Sequence, residues 1–169
     1  MDNKSVQYIL KENGTKSTLI KKLMVYSFNV GLKFGDIFVS DDGLSCAIMM
    51  FPNRRKNVVY STYQDTKLIL NVIGFKNIGK VLKKESNNKK KHPSFDFAHL
   101  WYIGVRPENQ GNGIGSQLLD EVISYYTSKN LMLYLETSTE SNIPFYQKKG
   151  FKKFDVNDEY GFNFYYLKN

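Results

Sequence analysis

Apolar residues along this chain fall into runs with two different periods. Over residues 14–28, Leu19, Ile20, Leu23, Met24 and Phe28 recur near helical spacing, which predicts an amphipathic helix opened by Thr15 or Ser17. Short apolar runs at 36–40 and 44–51 flank Asp41-Asp42-Gly43. An Asp-Gly turn between two such runs predicts a β-hairpin. Residues 52–56 read as a basic turn, and residues 66–82 as helix with a break at Gly74. The stretch from Lys83 to Lys91 has neither periodicity nor interleaved aromatics, so it reads as an exposed loop continuing through His92-Pro93.

The second half is more regular. Residues 97–105 are apolar on both faces, as in a central strand. Residues 113–128 place Ile114, Leu118, Leu119, Val122, Ile123 and Tyr126 on one stripe, with Gln117, Asp120 and Glu121 opposite, which predicts a helix. Residues 131–135 form a second continuous apolar run, expected to be a buried strand parallel to the first and joined to it by a right-handed crossover. A short helix is expected over 142–149, with Pro144 in its first turn and Gly150 past its end. Residues 151–156 and 162–167 read as a closing hairpin. The class is α/β with a mixed sheet, and 169 residues without repeat or linker suggest a single domain over 1–169.

Composition narrows the picture. Hydrophobic residues at 41% and aromatics at 15% exclude a disordered chain. No apolar run reaches membrane-spanning length and the first residues are polar, so a cytoplasmic protein without membrane contact is expected. The single cysteine, Cys46, excludes an internal disulfide and reads as a buried core thiol. The net charge of +8 admits an anionic partner. The lysines are spread through the chain, however, and a nucleic-acid-associated module is the less favoured reading.

The most informative segment joins the two buried runs. Between strand and helix stands Gln110-Gly111-Asn112-Gly113-Ile114-Gly115-Ser116. The first amides of a helix have no partner inside it and lie at the positive end of its dipole, which suits phosphate oxygens. Glycine permits positive φ and lets a ligand approach the backbone. A nucleoside-triphosphate loop would need a lysine before Ser116, where Gly115 stands. A dinucleotide fingerprint would need glycine at Ser116 and enough following chain for the second half of a doubly wound sheet.

The run from Val105 through Gly115 resembles the acyl-CoA-binding signature of the GNAT N-acetyltransferase superfamily, Gln/Arg-x-x-Gly-x-Gly/Ala. Leu135-Glu136-Thr137-Ser138, then Asn142 and Tyr146 ahead of Gly150-Phe151, resembles the later motif of the same family. The similarity spans about residues 92–168. His92-Pro93, His99-Leu100-Trp101-Tyr102 and the Leu-Glu-Thr-Ser string look closest to a puromycin-acetyltransferase-like branch.

The resemblance implies a GNAT fold: a mostly antiparallel sheet with one splayed parallel strand pair and helices on both faces. It implies acetyl-CoA as co-substrate and an amine on a small molecule as acceptor, acetylated by direct attack in a ternary complex. The coenzyme diphosphate would sit on Gln110, Gly111, Asn112, Gly113, Ile114, Gly115 and Ser116. The pantetheine arm would run between the parallel strands, which are expected to part near Gly104 and Val105. The Val105 amide would hold the thioester oxygen, Asn142 would contact the arm or cap a helix, and Tyr146 would give a proton to the departing thiolate or hydrogen-bond its sulfur, with a core position as the alternative.

Many relatives place a Glu on the strand before the loop, but residues 97–105 contain none. His99 is the titratable group there, six positions from Val105 and so on its face if the strand is regular. Glu136 is the other candidate base, with capping or cation binding as alternatives. No metal ligand is expected. The missing strand Glu leaves open a non-catalytic acyl-CoA sensor or degenerate enzyme. The branch likeness suggests an amino-nucleoside or other xenobiotic amine as acceptor, and an exposed edge strand could support a homodimer.

Overall fold

A computed structural model describes residues 3–54 and 58–169. Its helices are α1 (Lys4–Ile9), α2 (Lys16–Phe34), α3 (Val58–Leu68), α4 (Ile78–Lys91), α5 (Ile114–Thr127) and α6 (Ile143–Lys148). Its strands are β1 (Gly35–Val39), β2 (Ser45–Met50), β3 (Phe97–Val105), β4 (Met132–Thr137), β5 (Lys152–Asn157) and β6 (Phe164–Lys168). They form one sheet in the order β1-β2-β3-β4-β6-β5, antiparallel except for β3 and β4.

Helices cover both faces. On one, α5 and α6 pack Leu118, Leu119, Val122, Tyr126 and Tyr146 against Ala47, Met49, Leu100, Leu133, Leu135 and Leu167. On the other, Gly31 of α2 meets Ile48 and Ile37 so closely that an added Cβ would lie 2.6 Å from the Ile48 methyl. An aromatic cluster of Phe97, Tyr134, Tyr160, Phe164 and Tyr166 continues that face toward α1 and α4.

The Asp41-Asp42-Gly43 hairpin forms as expected, with Gly43 at φ +66°. The helix expected over 14–28 runs further, to Phe34, and passes directly into β1. The break at Gly74 is present (φ +74°), after a π-helical turn over Ile69–Ile73. The basic turn expected over 52–56 is closed by an Arg54 N–H to Phe51 carbonyl bond, while residues 55–57 lie outside the described residues.

One element was not foreseen and one expectation fails. The polar start of the chain contains α1, whose cap is Asn3: its side chain accepts from the Val6 N–H. Ser138 ties that cap to the end of β4, donating to Asn3 Oδ1 and accepting from the Ser5 N–H, both at 3.0 Å. The lysine-rich stretch is not a loop but most of α4. Its inward positions are polar: Lys84 lies over the Phe164 ring, Asn88 accepts from the Tyr166 hydroxyl at 3.1 Å, and Lys91 pairs with Asp155 at 2.5 Å. A helix whose buried stripe is Lys and Asn carries no apolar period to detect.

Candidate functional site

The parallel pair β3–β4 is joined at only three register positions, Phe97↔Met132, Ala98↔Leu133 and His99↔Tyr134. Beyond them β3 stays with β2 and β4 with β6. The strands therefore part just after His99, five residues earlier than the expected point near Gly104. Arg106 N–H donates to the Leu44 carbonyl at 2.9 Å. Alternate residues of an antiparallel strand direct their main-chain groups to alternate edges, so Val105 and Ile103 turn theirs toward the gap. The Gln110 side chain occupies the Val105 carbonyl at 3.2 Å and leaves its N–H open.

β3 also contains a bulge. Ile48 pairs Tyr102 while Met49 pairs Leu100, so Trp101 is an extra residue. This corrects the expectation that His99 and Val105 share a face. Met50 opposes His99 and Ser45 opposes Val105, and residues five apart on β2 point to opposite sides. His99 lies on the face of α2 and α4; Val105 lies on the face of α5.

At the mouth of the gap, Gly111 (φ +86°) and Gly113 (φ +80°) take left-handed conformations, and Gly113 caps α5 without a side-chain bond. A Cβ on either would meet no protein atom within 4 Å, so both face open space. Gly115 differs: its Cβ would come within 2.9 Å of a Val105 methyl, so its role is the close approach of α5 to β3. The Gln117 N–H bonds the Gly113 carbonyl, which makes the amides of Ile114, Gly115 and Ser116 the leading turn of the helix. Such an open cradle of amides suits a phosphate-like anion.

Asn142 stands at the N-cap of α6 but makes no cap bond, and its exposed side chain is free for another partner. Tyr146, on the α5 side, is buried beside Phe145 and Phe151, and burial pushes its pKa up to about 12. Glu136 lies inside β4, on the opposite face from Leu135 and hence from Tyr146. Glu136 Oε2 and His99 Nε2 are 2.6 Å apart, both side chains largely buried. Burial pushes the Glu136 carboxyl up, but the charge and hydrogen bond of His99, with Lys84 and His92, outweigh it and hold it below its ordinary value. Cys46 is half-buried rather than fully buried, and burial raises its pKa, which favours the neutral thiol.

The gap is thus bordered by a phenol on one side and an imidazole–carboxylate pair on the other, with a strand amide between. Sequence reasoning placed these groups but missed three neighbours. His92 caps the C-terminus of α4, with Nε2 3.9 Å from Glu136 Oε1. The Tyr134 hydroxyl is buried beside Glu136, and burial followed by that carboxylate pushes its pKa up. Trp101 meets the Tyr26 ring edge-on at 6.3 Å, and the Tyr26 hydroxyl donates to Asp65. Beyond β4, Lys4, Ser138, Glu140, Asn163 and Tyr165 line a cavity of about 290 Å³. Among the described residues no helix is long and apolar enough to cross a membrane.

Residues 58–153 match the acetyltransferase (GNAT) domain family. A mycothiol acetyltransferase of Paenarthrobacter aurescens is 34% identical over 73 residues, which is 41% of this chain and 22% of that protein. Its counterpart in Streptosporangium roseum is 32% identical over 72 residues, 41% and 21% of the two chains. These alignments span only about a fifth of each relative's length. Among solved structures, a histone acetyltransferase HPA2 and related acetyltransferase of Corynebacterium glutamicum superposes with a TM-score of 0.64 at 15% identity, covering 99% of this chain and 82% of that one. The C-terminal condensation domain of Ebony, solved with beta-alanyl-dopamine, gives 0.63 at 8% identity, covering 99% and 86%. These two likenesses concern the fold alone.

Proposed function

This chain belongs to the GNAT acetyltransferase family, and from that premise we propose that it moves an acetyl group from acetyl-CoA to an amine on a small molecule, by direct attack in a ternary complex. One observation carries the reading: the parallel strands part after His99 and leave the Val105 amide facing the gap, with a glycine cradle at its mouth.

Acetyl-CoA would supply an activated acyl group and a thiol leaving group. The backbone amides from Gly111 to Ser116 hold the diphosphate, with Gln110 bracing the loop against Val105 and the Ser116 hydroxyl as a further donor. The Asn142 side chain meets the pantetheine arm. The Val105 N–H binds the thioester oxygen and stabilises the negative charge that builds there during attack. Ile103, whose amide has the same orientation, is a second donor along that edge.

The acceptor amine has a pKa near ~10 and must lose a proton first. The His99–Glu136 pair receives it on the face opposite Tyr146; general-base assistance of this kind contributes about 10²–10⁴-fold. With its pKa at about 12, Tyr146 cannot readily release its proton. Transfer to a thiolate of pKa ~8.5 is uphill by about 5 kcal/mol. Tyr146 therefore hydrogen-bonds the departing sulfur and keeps its hydrogen.

The acceptor would enter beside Trp101, Tyr26 and Glu136, where aromatic rings favour an aromatic or amino-nucleoside amine. The test is a panel of primary amines with acetyl-CoA, read by thiol release and product mass, on the native chain and on Glu136→Gln and His99→Ala. N-acetylated product that falls about 100-fold in either variant supports the reading. Heat of acetyl-CoA binding without thiol release for any amine would make the protein a sensor. No heat at all would overturn both.

A further inference from the structure

We propose that His92, His99 and Glu136 form a binding site for one divalent transition-metal ion, with Zn²⁺ the best match to the ligand chemistry. The three residues come from separate elements: the C-cap of α4, the last paired residue of β3, and the middle of β4. Their ligand atoms all lie within 4.8 Å of one another. The side chains are 17%, 11% and 7% exposed in that order, so the cluster sits inside the protein.

Two atoms of the cluster have no partner: His92 Nε2 and Glu136 Oε1 are both buried without a hydrogen bond. They face each other at 3.9 Å, too far to bond directly. Each such orphan is unfavourable in the interior. An ion bonded to both at the ~2.0–2.2 Å typical of zinc with imidazole or carboxylate would satisfy the pair within a span of about 4 Å. The ion would also take the place of the hydrogen now shared by His99 and Glu136.

The surroundings hold the rings in place. His92 meets Phe97 at 5.1 Å and Tyr134 at 5.2 Å, and His99 meets Tyr134 at 5.4 Å, all edge-on. Two imidazoles and one carboxylate select zinc-like ions over magnesium or calcium, which favour all-oxygen shells. Three protein ligands leave a fourth position for water or a substrate group. The charge of Lys84 acts on Glu136 and opposes the ion, which weakens its binding. An occupied site would also remove Glu136 and His99 from proton transfer, but the ion itself can be measured without reference to catalysis.

The experiment titrates the purified full chain with zinc chloride in a non-chelating buffer by calorimetry, and with Co²⁺ by visible absorption. One ion per chain and the intense visible bands of four-coordinate Co²⁺ are expected. His92→Ala and Glu136→Gln should each weaken binding by more than about 10-fold, the lower end of what even an outer-shell change does. Lys84→Met should tighten it. His92→Gln serves where the alanine variant fails to fold, with metal-free melting as the check. Absence of saturable zinc binding, or affinity unchanged in a folded His92 variant, overturns the proposal.

Discussion

His99 and Val105 stand six positions apart on one strand and face opposite sides of the sheet, because Trp101 is a bulge between them. That single extra residue puts the imidazole with Glu136 on one side of the gap and sets Val105 against Gly115 on the other. The amide proposed to bind an acyl oxygen thus lies between the pair proposed to take a proton and the phenol proposed to donate a hydrogen bond.

The glycines of the loop should separate by role. Gly113→Ala must hold φ near +80°, which is unfavourable by roughly 1–2 kcal/mol for an L residue, yet its methyl meets nothing in the protein. It should lower the melting temperature by a few degrees and weaken acetyl-CoA binding further, because the methyl projects into the open space proposed for the coenzyme. Gly115→Ala instead presses on Val105 and should destabilise by about 1–3 kcal/mol through overpacking. Thermal melts with and without acetyl-CoA distinguish the two.

Tyr146→Phe should leave the fold intact and lower kcat by about 10–100-fold, the size of a lost hydrogen bond to a charged atom. Burial raises this phenol to about 12, above its ordinary 10.0, so the neutral form predominates in the folded state. Its contribution to stability is complete below the unfolded value near ~10 and lost as pH rises through about 12. The native-to-variant rate ratio should therefore stay flat from about pH 6 to 9. A ratio that changes tenfold within that range would count against the assignment.

Asn88 tests the polar inner face of α4. Asn88→Ala removes the acceptor of the Tyr166 hydroxyl and leaves that group unpaired in the interior. A loss of about 1–3 kcal/mol by denaturant titration is expected. A neutral result would mean that α4 does not pack there.

The β3–α5–β4 unit was legible because its strands are mostly apolar, its helix stripe is regular and its glycines sit where backbone alone can turn. The positions of Tyr146, Asn142 and the amide cradle followed from that frame. Nothing in residue type marks Trp101 as the extra residue, since a bulge is decided by pairing with β2. The point of parting at His99 has the same origin, being set by the packing of two strands rather than by either alone. His92 reads as part of a loop because the stretch before it, Lys84, Asn88 and Lys91, buries amphipathic stems and amides where apolar residues would announce a helix. The carboxylate partner of His99 lies 37 residues away, a distance only the fold closes.

The sheet is in effect two three-stranded leaves, β1-β2-β3 and β4-β6-β5, sewn together along three residue pairs at one end. A molecule laid along the unsewn margin would act as an extra rung for both leaves. Binding would then stiffen the protein as well as fill it, and deuterium uptake at Ile103 and Val105 would slow in step with occupancy.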